Sequence, residues 1–114
     1  MPKKNSRQKT YSPYSKEAVL LLGKQIKLGR IQKSWSEKEL AGRANVSRET
    51  IQRAEKGAPS CAIGTMFELA YLVGIKLFDS DLPSIQAQQR QADAQLFLLP
   101  SRIRQPSGVK DDDF

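Results

Sequence analysis

Between Ser47 and Lys56 the chain places Arg48, Glu49, Gln52 and Arg53, which helical spacing gathers on one side of a helix. All four side chains are long and hydrogen-bonding, and they are the types that match the edges of nucleic-acid bases. Arg48 and Arg53 can grip guanine O6 and N7 bidentately, Gln52 can read adenine, and Glu49 can accept from cytosine or orient an arginine. A helix with that face suits the major groove of a duplex. Other chemistries have little to stand on. Histidine is absent and Cys61 is the single cysteine, so a disulfide within the chain is impossible and a zinc site of the usual ligands has no ligand set. There is no G-x-x-x-x-G-K phosphate loop, no Cys/His or Ser/His pairing and no clustered carboxylate pair, while each serine has a cap or turn to explain it. The expectation is therefore a binding protein, not an enzyme, with no metal and no cofactor.

Two short helices joined by a tight turn must position this face. Ser36 followed by Glu39 predicts a capping box at the start of the first, with Trp35 and Leu40 flanking it as a hydrophobic staple. Ser47 repeats the device for the second, with Val46 and Ile51 in the staple positions, and Gly57 supplies the stop. Leu40, Ala41, Ala44, Val46, Ile51 and Ala54 then face inward, and the alanines let the helices cross closely.

The stretch from Trp35 to Gly57 resembles the helix-turn-helix of the Xre family of repressors, through Trp35, Ser36, Leu40, Ala41, Val46, Ser47, Thr50, Ile51, Glu55 and Gly57. Two positions depart from that pattern. Asn45 stands where the turn usually has Gly, a mild change because Asn tolerates the left-handed conformation. Glu37 stands where a phosphate-binding Gln is usual, and a carboxylate near a phosphate is repulsive, which speaks against that contact. The resemblance implies an all-α, five-helix, lambda-repressor-like domain. It also implies that Arg30, upstream with Ile26, pairs with Glu55 inside the fold.

Charge agrees with a polyanionic partner. Residues 1–60 carry 14 Lys+Arg against 5 Asp+Glu, whereas residues 61–114 carry 5 against 7. Neutralising phosphates releases condensed counterions, so the basic half is the half suited to DNA. Lys33, Lys38, Arg43, Ser47 and Thr50, with the N–H groups at the helix starts, are candidates for holding phosphates.

Along the chain, residues 1–14 read as a flexible basic arm that either tracks phosphates or is simply solvated. The helix-turn-helix domain follows over 15–80. Its first helix should begin near Ser12 to Ser15 and run to about Gln32, with Val19, Leu22 and Ile26 in helical period and Leu21 and Leu28 beside them. Gly29 inside that helix implies a close-packed neighbour. A fourth helix from about Ala62 to Val73 should close the core with Ile63, Met66, Phe67, Ala70 and Val73, with Cys61 a small buried residue near its start. In GIKLFDSD, Ile75 and Leu77 alternate with Lys76, followed by Phe78, which predicts a short strand or extended piece; a strand there needs a partner, in a homodimer its own copy. Residues 81–99 are helical again, with Leu82, Ile85, Gln89, Ala92, Leu96 and Leu99 on the spacing of a coiled-coil seam, for a dimer or partner contact or for folding back on the domain. Residues 100–114 read as a disordered tail whose DDDF end either docks on a basic surface or is solvated.

The run EKGAPSCAIGTMFELAYLVGIKLF is similar to HipB-type antitoxins, a branch of the Xre family. That likeness implies a homodimeric repressor that binds double-stranded operator DNA and neutralises a HipA-type serine/threonine kinase toxin. The alternatives are a stand-alone Xre-type repressor and, in another class, a basic adaptor for protein or RNA. With no apolar run of membrane length and no signal-peptide pattern, a cytoplasmic, nucleoid-associated location is expected.

Overall fold

In the computed structural model, residues 10–100 are described, and they form five helices in the order α1 (Pro13–Gln32), α2 (Glu37–Ala44), α3 (Arg48–Glu55), α4 (Ile63–Leu72) and α5 (Leu82–Leu98). The arm before Thr10 and the tail after Pro100 lie outside the described residues. Contacts divide the chain into a unit up to Asp79 and another from Ser80.

Local signals set the helix starts. Ser12 caps α1 by accepting from the Ser15 backbone N–H, with Pro13 in the first turn, so the helix begins within the segment assigned to the arm. Ser36 accepts from the Glu39 N–H at 3.0 Å and Ser47 from the Thr50 N–H at 3.1 Å. In the first of these boxes the Glu39 carboxylate turns to Arg43 instead, 3.2 Å away. Asn45 takes the left-handed conformation at φ 58° and ψ 45°, which ends α2 and turns the chain into α3. Gly57, at φ 77°, ends α3. The Ala58 N–H reaches back to the Arg53 carbonyl, and the Gly57 N–H to that of Ala54.

Helices of eight residues, such as α2 and α3, do not hold in isolation, so packing must secure them. Ile26, Leu40, Ile51 and Leu69, one from each of α1 to α4, are fully buried at the centre. Each such side chain contributes about 1.5–3 kcal/mol on burial. Ala41, Ala54, Met66 and Val73 complete the core, and Leu22, Trp35, Ala44, Val46, Cys61, Leu72 and Ile75 pack around it half-buried. Helix α1 packs on α3 and α4, and α2 packs on the same two helices. Two glycines of α1 make this possible. A Cβ on Gly29 would lie 2.8 Å from the Val73 side chain, and one on Gly23 would lie 2.5 Å from the Ala54 carbonyl oxygen.

Two expectations are corrected. In α4 the buried stripe is Met66, Leu69 and Ala70, continued by Val73 at the cap, while Ile63 is 75% and Phe67 37% exposed. The segment IGTMFELAYL is apolar on nearly every side, so its period left the choice of inward face open, and packing against α1 and α2 decides it. At residues 75–78, where a strand or extended piece was expected, no strand forms within the described chain. Instead the Asp79 N–H closes a turn on the Lys76 carbonyl at 3.0 Å with Asp79 at φ 53°, and Phe78 stacks on Phe67. Three alternating residues are too few to impose a strand where a turn and a ring contact compete.

Within the second unit, Asp81 caps α5 through the Ser84 N–H, and Gln88 hydrogen-bonds the hydroxyls of Ser80 and Ser84. No residue of α5 is buried. Leu96, Phe97, Leu98 and Leu99 are all exposed.

Candidate nucleic-acid interface

Helix α3 is fixed from behind by a buried ion pair. Arg30 of α1 donates from Nε to Glu55 Oε2 at 2.6 Å and from Nη2 to Oε1 at 3.0 Å, a bidentate fork, and its Nη1 donates to the Trp35 carbonyl at 2.9 Å. Three donors of one guanidinium thus tie the end of α3 to α1 and to the residue before the Ser36 cap. The Glu55 hydrogen bond, ahead of the opposing cost of burial, raises the Arg30 guanidinium above its ordinary pKa. This is the pairing that the resemblance implied.

With Ile51, Ala54 and Glu55 turned inward, the opposite side of α3 carries Arg48, Glu49, Gln52 and Arg53. Arg48, Glu49 and Arg53 are exposed, and Gln52 is half-buried. The four are not equivalent. Arg48 donates from Nε to Glu37 Oε1 at 3.0 Å, and Gln52 donates from Nε2 to the same oxygen at 3.1 Å. Glu49 and Arg53 make no ion pair or side-chain hydrogen bond with the described residues. Hydrogen bonds from Gln52 and then Arg48 hold the Glu37 carboxyl below the usual carboxylate range.

Glu37 is the residue whose role the sequence did not reveal. It stands at the first position of α2, 11 residues from Arg48 and 15 from Gln52, and is joined to both by the turn at Asn45. Its charge suggested only repulsion from phosphate, whereas the fold gives it two donors of its own.

The candidates for phosphate contact are spread over three elements. Lys33 caps the end of α1, Lys38 is exposed on α2, and Arg43 lies on the last turn of α2. The Arg43 guanidinium sits 4.2 Å from the centre of the Trp35 ring and the Lys33 ammonium 5.5 Å from it, so one indole gathers two cations. Arg43 is also held by Glu39. The Ser47 and Thr50 hydroxyls lie 3.0 Å apart, bonded to each other, with Ser47 also capping α3.

Residues 26–77 match the family model described as Helix-turn-helix. This segment runs from the middle of α1 to the turn after α4, and the five helices agree with an all-α, lambda-repressor-like fold. A domain of that class suggests a DNA-binding transcriptional regulator. Neither the curated proteins nor the solved structures include a match to the chain. No helix among the described residues is long and apolar enough to cross a membrane.

Proposed function

We propose that the protein is a sequence-specific transcriptional repressor that binds operator DNA as a homodimer with α3 in the major groove. The observation that carries this reading is the outward side of α3, where, among the described residues, Arg48, Glu49 and Arg53 are exposed and Gln52 is half-buried on a helix anchored from behind by Arg30 and Glu55. Arg48 and Arg53 contact guanine edges, Gln52 reads adenine, and Glu49 accepts from cytosine. Lys33, Lys38, Arg43, Ser47 and Thr50, with the N–H groups of the helix starts, hold phosphates and fix the register. Two copies related by a dyad meet a palindrome whose half-sites lie about one duplex turn, roughly 34 Å, apart. The seam Leu82, Ile85, Gln89, Ala92 and Leu96 of α5, continued by Leu99 at its end and exposed except at half-buried Ile85, is the proposed self-pairing surface. Its helix carries only Arg90 and Asp93 as charged residues, so two copies do not repel.

The test is competition on an operator-sized duplex from the protein's own promoter. Preference over random DNA of at least ~10³ supports the repressor, and no preference favours a basic adaptor for protein or RNA.

The antitoxin role, with a HipA-type serine/threonine kinase as partner, is the finer form of the proposal. It rests on the sequence run from Glu55 to Phe78, without the pairing strand once expected there. Co-purification with a kinase encoded beside this gene, and a footprint strengthened by that kinase, support it. A gene with no such neighbour leaves a stand-alone repressor.

A further inference from the structure

Resting on the proposed role of α3, we infer that Glu37 is a positioning residue for base recognition: its Oε1 atom presets Arg48 and Gln52, while Glu49 and Arg53 are left to settle on the DNA. The argument starts from donor and acceptor chemistry. A carboxylate can only accept, so the Gln52 amide must face Glu37 with its nitrogen, and the orientation of that amide is fixed without appeal to the base it meets. Its Oε1 and second N–H remain outward, which is the acceptor–donor pair that adenine N6 and N7 require. Arg48 gives Nε to the same oxygen, which leaves its two terminal nitrogens as an end-on fork for guanine. One atom of α2 therefore orients two neighbouring readers on α3.

The arrangement also lowers the entropic cost of recognition, because two long side chains are ordered before DNA arrives. Arg53 and Glu49 have no such brace among the described residues. Base preference should accordingly divide along the helix. Pairs read by Arg48 and Gln52 depend on Glu37, and pairs read by Arg53 do not.

The experiment measures binding of the full chain to its selected operator and to every single-base-pair variant of it, for wild type, Glu37→Ala and Glu37→Gln. Arg48→Ala, Gln52→Ala and Arg53→Ala assign the positions. Glu37→Ala should lose about tenfold in discrimination at the positions assigned to Arg48 and Gln52, and keep the preference assigned to Arg53. Glu37→Gln retains an oxygen that can accept from both donors, so it should keep the preferences. With one negative charge fewer near the phosphates, it should bind all sequences more tightly. In the free protein, the Arg48 Nε–H and Gln52 amide resonances should become motionally averaged in Glu37→Ala and remain ordered in Glu37→Gln. Unchanged preference at every position in Glu37→Ala overturns the inference, as does an equal loss at all positions including that of Arg53. If wild type selects no sequence at all, the repressor reading fails and this inference falls with it; selection by wild type that Glu37→Ala shares fully overturns the inference alone.

Discussion

The two sides of α3 are built to opposite specifications within eight residues. The inner side, Ile51, Ala54 and Glu55, is buried and matched atom for atom, with the carboxylate of Glu55 held by two nitrogens of Arg30. The outer side is polar and open, and half of it is braced by Glu37 while Glu49 and Arg53 have no such tie to the described residues. A helix this short cannot hold its own shape, so its outer side chains have defined positions only because the inner side is locked. Substitutions on the inner side should act mainly on stability, and substitutions on the outer side mainly on base preference.

The largest effect is expected at the ion pair. Glu55→Ala strands the buried Arg30 guanidinium and should cost about 3–5 kcal/mol in urea-induced unfolding. A loss comparable to that of a surface charge would show that the inner side is not locked as described. Next comes Gly23→Ala, because the added Cβ would meet the backbone oxygens of Ala54 and Glu55 at 2.5 and 2.8 Å, where nothing flexible can yield. Overpacking of that kind costs about 1–3 kcal/mol, against roughly 1 kcal/mol gained in helix propensity, so the thermal midpoint should fall. Gly42→Ala, with nothing within 4 Å, should raise it. Ser47→Ala removes the cap of α3 and should cost about 1 kcal/mol by chemical unfolding.

The smallest effect concerns pH and belongs to the outer side. The Glu37 carboxyl is held below its ordinary range by Gln52 and Arg48, so its contribution to stability is present above that range and is lost as pH falls through the depressed value. Thermal melts of wild type and Glu37→Gln should therefore converge on acidification. A gap that widens toward low pH would contradict the brace.

What the sequence disclosed follows the range of the forces involved. Caps are local, so Ser36 and Ser47 could be placed from residues within four positions and the start of α1 narrowed to Ser12–Ser15, whereas the left-handed Asn45 was legible against the family pattern. The Arg30–Glu55 pair, 25 residues apart, was legible only through likeness to a family. Where several faces were equally apolar, as in α4, periodicity could not choose, and Leu69 is fully buried while Phe67, expected in the stripe, is exposed. The brace at Glu37 escaped notice because neither charge nor spacing along the chain shows which donors a turn will bring to a carboxylate. The turn at Asp79 replaced a strand for a similar reason, since the ring that holds Phe78 belongs to Phe67 on another element.

The outer side of α3 is tested most directly by selecting duplexes from a random pool with wild type, Arg53→Ala and Lys38→Ala, and comparing the base preferences recovered. Arg53→Ala should lose about 1–3 kcal/mol of discrimination at one base position per half-site, with the other positions unchanged. Lys38→Ala should weaken all sequences alike and reduce the salt dependence of binding by about one unit of slope. Preferences identical in wild type and Arg53→Ala, or an equal loss on every sequence from both substitutions, would contradict a base-reading role for this face.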